Sequence, residues 1–522
     1  MVRREVGGTN RRARWSVQRA AGLDWSTVLP PLFAALVALG LGSATLLRGV
    51  AFWDTAELQT IPPLLGTAHP TGFPTYVILG WLTSIVLQPF GEPALRMNLL
   101  STLCVASAAG LTAVLVGRLT GLAWLALASG IVLATTPIAW SMATHADTHA
   151  LHLALVALLL VLLVDWERLE RARAAGADRR LVAASVVFAL ALGNHTLTIL
   201  LALPVALYVL TVDPRILGRP RLVGACLLAL ALPLIVLYAE LPLRAGVWRA
   251  PLVYGHPETW NGFWDIVLAA QFQGSLGSPL ADVGGKAATV LHYLWLELGP
   301  LIWFVPGAFM ATVLRHPRYA LLSGTAAALT VWFAASYENA EIERYYLGPT
   351  LIALTWLAVL AGLLVDSLNR RVGGPRHVLA LLLAALLLVP TVAVLPQRWR
   401  SVDLSQERQA ADWLNAVLDP RVIPPNAVVV SWWSYSTPLW YAQQIQGRRP
   451  DIAIVDDRTR LDEHLGGITD VIDANLGRRP VVAIQYRADL LAQLATRYRL
   501  TPLPVPGEQP VYLVEGLLGS AR

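Results

Sequence analysis

Asp54, Glu57 and His69 fall in the stretch FWDTAELQTIPPLLGTAHPTGFPTY (52–76), which begins where the first long apolar run of the chain ends, and no other charged side chain lies among them. A carboxylate at the mouth of a membrane span can take the proton of an acceptor hydroxyl. Imidazole or guanidinium groups nearby can receive the charge that develops on a leaving phosphate. Asp54 is the candidate base, and Arg96, Arg244 and Arg344, with His69 or His195, are the candidate phosphate partners. Arginine suits that role because its planar fork can hold a phosphate bidentately.

The elements that must position these residues are membrane helices. The 522 residues are 56% hydrophobic and only 14% charged, against about 25% charged in an average soluble domain. Apolar runs near the ~20 residues needed to cross a ~30 Å hydrocarbon core recur from Thr27 to about Leu395 and then stop. The arginine-rich start MVRREVGGTNRRARW precedes a run, Thr27 to Leu47, longer than the 7 to 15 residues of a signal-peptide core. That run is expected to be an uncleaved first span with a cytoplasmic N-terminus. The two cysteines lie within apolar runs, which argues against a disulfide or metal framework. The net charge of +6 is carried mainly by arginine and reads as topology rather than nucleic-acid binding.

Arginine also decides the threading. If YVILGWLTSIVLQPF (76–90) spanned the membrane, the five arginines of DWERLERARAAGADRR (165–180) would face outward, against the positive-inside rule. Read as a short helix on the outer surface, it leaves arginine in every inner segment: the N-terminus, 117–121, 165–180, 213–221, 314–318 and 369–377. About eleven spans result. The outer segments, 50–96, 139–148, 193–195, 240–285, 336–346 and the tail from 397, then gather Asp54, Glu57, His69, Arg96, His145, Asp147, Asn194, His195, Arg244 and Arg344 on one face. Ionisable groups at span ends are costly unless they pair or face a wet cavity, so this pattern predicts an outward polar cavity in an apolar bundle.

The chain lacks a phosphate loop, since GGKAAT (284–289) has neither the earlier glycine nor the Ser/Thr after Lys286, and it lacks a Rossmann fingerprint. An outward site meets no ATP or sugar nucleotide. A transferase there needs a donor already in the membrane, which points to a lipid-linked phosphate.

Blander readings stand beside these. Asp54 and Glu57 form an Asp-x-x-Glu pattern that could cap a helix. His145, His149 and His152 have spacings of four and three that suit metal ligands on one helix face, or simply a polar vestibule lining. Asn194 and His195 could be a helix-end turn after Gly193, and Arg344 could snorkel at a membrane edge.

From about 397 the periodicity changes. Helices over 406–419 and near 487–498, a helix ending at Gly447, and strands at NAVVVS, DIAIVD, PVVAIQY and PVYLVEG imply a small α/β domain with a mainly parallel sheet. SWWSYSTPLWY (431–441) follows a strand's carboxyl end, where open sheets bind ligands. It is a candidate sugar- or peptide-contacting loop, or else packing against the membrane face.

FWDTAELQTIPPLLGTAHPTGFPTYVILG, RMNLLS (96–101), LGNHTL (192–197), LPLRA (241–245) and YAQQIQGRRPDIAIV (441–455) together resemble the bacterial relatives of a transmembrane protein O-mannosyltransferase family within the GT-C superfamily of membrane glycosyltransferases. The resemblance runs in order through nearly the whole chain. It implies Asp54 as catalytic base with Glu57 beside it, His69 and Arg96 shaping the donor site, and the helix at 76–90 as a juxtamembrane helix. It further implies a polyprenyl-phosphate sugar donor, inversion at the anomeric carbon and no cofactor. ATHADTHALH (143–152) departs from the pattern, standing where the family would have a more acidic segment ending in an aromatic residue.

The expectation is a mainly α polytopic bundle over 1–396 with an extracytoplasmic α/β domain over 397–522, in the cytoplasmic membrane. It would move mannose or a similar hexose from the lipid donor to a protein Ser/Thr, or next to a cell-envelope acceptor. A transporter or lipid flippase is the rival. It predicts charges deep within the spans and inverted repeats, whereas the charges here gather at one face.

Overall fold

The computed structural model describes residues 25–278, 280–338, 341–373, 375–485, 487–505 and 511–519. The arginine-rich start, and with it the expected cytoplasmic N-terminus, lies outside the described residues.

From residue 25 to 402 the described residues are mainly helical: α1 (Trp25–Ala44), α2 (Trp53–Leu64), α3 (Pro74–Val86), α4 (Pro93–Thr120), α5 (Ala123–Thr135), α6 (Pro137–Met142), α7 (Thr148–Arg171), α8 (Ala177–Asn194), α9 (Ala202–Val212), α10 (Pro220–Pro242), α11 (Trp260–Val267), α12 (Val283–Leu298), α13 (Val305–Arg315), α14 (Pro317–Ser336), α15 (Leu347–Val372) and α16 (Arg376–Val402). Local chemistry sets many of the ends. Proline opens α3, α4, α6, α10 and α14, where its missing N–H costs nothing. Gly121 and Gly373 close α4 and α15 in the left-handed conformation, at φ 68° each.

Among the described residues, eight helices are long and apolar enough to cross a membrane, α1, α4, α7, α14 and α16 among them, so the protein is a multi-pass membrane protein. The sequence predicts about eleven spans. The difference lies in α5, in α8 with its Asp178, Arg179 and Arg180, and in the segment Thr196–Val212, all of which fall short in length or apolarity. The short helix expected on the outer surface is α3. α4 and α7 are the most enclosed of the eight and pack against α1, α5 and α8 around one large apolar core.

The tail folds as α17 (Gln409–Val417), β1 (Val428–Val430), α18 (Trp433–Trp440), β2 (Ala453–Val455), α19 (Asp457–Asp462), α20 (Ile468–Asn475), β3 (Val481–Ile484), α21 (Ala488–Arg497), β4 (Tyr498–Pro502) and β5 (Val511–Leu517). The strand order is β2-β1-β3-β5-β4. β1 is parallel to β2 and β3, as expected, while β5 is antiparallel to β3 and to β4. β4, the polar edge strand YRLTP, is not foreseen in the sequence because it lacks an apolar run.

The tail is docked on the bundle. Val50, Ala56 and Ala94 share an apolar cluster with Trp413, Leu414, Tyr435 and Leu439. Tyr441 accepts the Ala94 N–H through its hydroxyl at 3.1 Å, and the Leu404 N–H donates to the Thr45 carbonyl at 3.0 Å. The 396/397 step lies within α16, which continues unbroken to Val402.

Candidate functional site

Asp54 sits in the first turn of α2, whose N-cap is Phe52 and carries no side-chain cap. The Asp-x-x-Glu capping pattern is therefore not used. Glu57, one turn on, is buried and turned back to the following loop: Oε1 accepts the His69 backbone N–H at 2.7 Å, and Oε2 lies 2.5 Å from His69 Nδ1. Burial alone would push the His69 imidazole towards neutrality, but the Glu57 carboxylate, its hydrogen bond and the nearby Asp54 charge outweigh it. They bring its pKa up to about 9, so the ring is a cation at neutral pH. Asp54 Oδ1 accepts the indole N–H of Trp433 at 2.8 Å.

A second group gathers where α7, α8 and α15 begin or end. Asp147 is the N-cap of α7: Oδ1 accepts the His149 backbone N–H at 2.6 Å and faces His149 Nδ1 at 3.0 Å, while Oδ2 lies 2.9 Å from Arg344 Nη1. Burial would raise the Asp147 pKa, yet Arg344 and His149 hold the carboxyl well below the ordinary carboxylate range. Arg344 also pairs with Glu341. His195 caps the 3₁₀ turn Thr196–Leu201, its Nδ1 accepting the Leu197 N–H at 3.1 Å, which leaves Nε2 to carry the hydrogen. Its ring lies 4.7 Å from that of His149 and 5.8 Å from that of His152. Close packing fixes this helix end: a Cβ on Gly193 would come within 2.7 Å of Leu237 and 2.8 Å of Thr75.

Both groups open onto one cavity of about 720 Å³. Of the ten residues singled out in the sequence, Asp54, His69, His195 and Arg344 line it. Glu57, Asp147 and Asn194 stand behind the lining. Glu57 grips His69, Asp147 grips Arg344, and Asn194 donates to the carbonyl of Thr148, a lining residue, at 3.0 Å.

Arg96, Arg244 and His145 do not line the cavity. Arg96 donates to the Gly91 carbonyl from Nε at 2.8 Å and to the Ser84 carbonyl from Nη1 at 2.8 Å, clipping the turn between α3 and α4. Arg244, in the π-helical turn Leu243–Val247, is buried against Glu240 and donates to the Gly66 carbonyl at 2.9 Å. His145 Nδ1 lies 3.1 Å from the Thr144 hydroxyl, and burial pulls its pKa down to about 4, so it is neutral.

The tail forms a further wall of the cavity, in part from the loop 431–441 that the sequence offers as a sugar- or peptide-contacting loop. Trp432 and Trp433 follow β1, and Asp457 and Arg458 follow β2, at the carboxyl ends of adjacent parallel strands. Tyr254 and Phe272, from the loop around α11, complete it. The aromatic run after β1 marks this wall in the sequence, whereas the acidic-basic step after β2 is not singled out there.

Asp54, Glu57 and His69 each offer an atom within 4.8 Å of the others, a set that could hold a divalent cation. Both Glu57 oxygens already face His69, so a cation would have to displace that pair. The histidine triplet read from spacing does not form such a set among the described residues. His149 and His152 instead face His195 from the next helix end.

The structure superposes on ArnT from Cupriavidus metallidurans bound to undecaprenyl phosphate, with a TM-score of 0.58 and 15% identity over 94% of this chain and 98% of that one. It also superposes on the archaeal oligosaccharyltransferase AglB from Archaeoglobus fulgidus in complex with an inhibitory peptide and a dolichol-phosphate, with a TM-score of 0.54 and 14% identity over 88% of this chain and 69% of that one. The chain has the GT-C fold.

Within that fold, the family described as the Protein O-mannosyl-transferase TMEM260 N-terminal domain matches residues 54–216. The mouse (Mus musculus) Protein O-mannosyl-transferase TMEM260 is 27% identical over 484 residues, covering 84% of this chain. The chain spans 64% of the length of that relative. The matched family region starts at Asp54 and holds His69 and His195, whereas Arg344 and the aromatic wall of this GT-C chain fall beyond it.

Proposed function

We propose that the protein is a membrane glycosyltransferase that moves mannose or a similar hexose from a polyprenyl-phosphate donor to an acceptor hydroxyl, preferably of a protein Ser/Thr. The observation that carries this reading is the cavity where Asp54, His69, His195 and Arg344 meet at one end of the bundle. The relatives support the chemistry. One is named for O-mannosyl transfer, and the solved structures hold undecaprenyl phosphate, or dolichol-phosphate with a peptide.

In the proposed reaction the acceptor hydroxyl gives its proton to Asp54 while its oxygen bonds to the anomeric carbon of the sugar. The bond from that carbon to the phosphate oxygen breaks, and its electron pair stays on the phosphate. Arg344, the His195 Nε2–H and the His69 cation receive that charge, a preorganised arrangement that works best in a site shielded from water. Attack opposite the departing phosphate inverts the anomeric centre. The lipid phosphate supplies the activation, so this reading assigns no cofactor, and dialysis against EDTA is expected to leave transfer unchanged. A loss restored by Mg²⁺ or Mn²⁺ would instead put a cation on Asp54. By the arginine pattern the cavity and tail face outward across the cytoplasmic membrane.

The test is transfer of radiolabelled sugar from polyprenyl-phosphate mannose to a Ser/Thr-rich peptide in proteoliposomes, comparing wild type with Asp54→Asn. Labelled peptide from wild type and almost none from the variant is the expected result. Equal labelling by both would remove Asp54 as the base, and no labelling by either, with glycan acceptors also tried, would overturn the transfer reading.

A further inference from the structure

The C-terminal domain, which lines the cavity with Trp432, Trp433, Asp457 and Arg458, bonds to Asp54 through Trp433. We propose that Trp433 is a positioning residue for Asp54: its indole N–H holds Oδ1 and thereby leaves Oδ2 to take the proton of the acceptor. This rests on the reading of Asp54 as the base.

Among the described residues, Trp433 is the one hydrogen-bond donor to the Asp54 carboxylate, at 2.8 Å. A carboxylate on a short side chain has two equivalent oxygens. A donor fixed on one of them orients the other, and charge-assisted hydrogen bonds are strong enough to do so. The indole is itself held. Its ring meets those of His69 at 6.0 Å, Tyr254 at 6.2 Å and Trp440 at 5.6 Å, each edge to face.

Tyr254 is locked in turn by the Arg458 guanidinium, 3.9 Å from its ring centre, and by its own hydroxyl, which donates to Gln271 Oε1 at 2.5 Å. Arg458 donates to the Val253 carbonyl and pairs with Asp462 at 3.2 Å, and Asp462 accepts the Gly255 N–H at 3.0 Å. The tail therefore clamps the 253–255 loop and, through it, the indole. Phe52, immediately before α2, packs against Trp413 at 5.6 Å and Tyr435 at 5.8 Å, which fixes the same two elements at a second point. A site held by rigid elements on both sides is what a proton-transferring group requires.

A purely structural role predicts that any aromatic ring will serve, and Trp433→Phe separates the two because it keeps the packing and removes the N–H. The first readout needs no activity. The carboxylate stretching band in the infrared spectrum that is lost in D54N is expected to shift in W433F, since a hydrogen bond to one oxygen changes the band. A band at the same frequency in both proteins overturns the proposal, whether or not any sugar is transferred.

The second readout is the transfer assay. W433F is expected to lower kcat by about 10- to 100-fold, in the range of a charge-assisted hydrogen bond, with KM for the lipid donor unchanged. In a D54N background the same change is expected to add nothing, because the residue it acts through is already disabled. A W433F effect of equal size in both backgrounds, or one confined to KM, overturns the positioning role. Absence of transfer by wild type would strike the proposed reaction and leave the infrared result to decide this one.

Discussion

The two ends of the bundle treat charge in opposite ways. At the end where α7 finishes and α8 begins, Arg219 pairs with Glu170 at 3.0 Å and Asp213 at 3.1 Å and also with Asp178, with a third of its side chain in solvent. Arg118 with Asp165, and Arg376 with Asp366, are similar solvent-facing pairs. At the cavity end Arg344 is 12% exposed and Asp147 2%, and Glu57 is fully enclosed beside His69. Exposed pairs gain about 0 to 1 kcal/mol and need no further reason to exist. Buried charges carry a desolvation cost of several kcal/mol, so their gathering around one cavity marks that end as the one where charge is used.

The largest effect that would break this contrast is at Asp54. Asp54→Asn keeps the shape and cannot accept a proton, so transfer should fall about 10²- to 10⁴-fold, the range of general-base catalysis. Initial rates of peptide labelling measure it, and a loss under tenfold would reduce Asp54 to a polar wall. Arg344→Gln comes next. It strips the cavity of a cation and leaves Asp147 buried without its partner, so a 10- to 100-fold loss of kcat/KM should accompany about 3 to 5 kcal/mol of lost stability. Thermal unfolding in detergent beside the transfer assay tests both arms. Loss of stability alone would make the pair a brace.

His69 sharpens the contrast through pH. Its pKa is raised from 6.5 to about 9 on folding, so the pair with Glu57 stabilises fully below pH 6.5 and loses that contribution as pH rises through 9. The contribution is at most about 3 kcal/mol. Wild type should therefore lose thermal stability between pH 6.5 and 9 relative to Glu57→Gln, which lacks the charge that raises the imidazole. Parallel stability curves for the two proteins would show that Glu57 does not hold His69 charged.

Much of the fold was legible because its signals are long and additive. Apolar runs of span length, proline at helix starts and arginine in alternate loops each repeat many times, and together they point to a mainly α bundle with a small α/β tail. The shortfall in spans has a local cause: α5 is 13 residues long, and α8 carries three charges in its first turn. Side-chain direction was the harder matter. Arg96 and Arg244 share loops with the cavity residues, yet nearby carbonyls and Glu240 take up their guanidiniums. Composition shows that a loop holds an arginine, not which way it turns. Trp433 is separated from Asp54 by 379 positions, and only the docking of β1 and α18 against α2 brings them into contact.

The smallest expected effect tests the bland half of the comparison. Arg219→Ala removes the centre of a three-carboxylate network at the end away from the cavity. Because the guanidinium is already partly hydrated, and three carboxylates freed together regain water, stability should change by no more than about 1 kcal/mol. The transfer rate should stay within twofold of wild type. What should change is salt dependence: the small stabilisation this network gives is expected to fade as ionic strength rises from 0.01 to 1 M, where screening shortens from about 30 to 3 Å. The Asp147–Arg344 pair, sealed from solvent, should hold its contribution over the same range. Thermal unfolding of wild type, R219A and R344Q across that salt series measures both, and equal salt sensitivity at the two ends would erase the distinction between them.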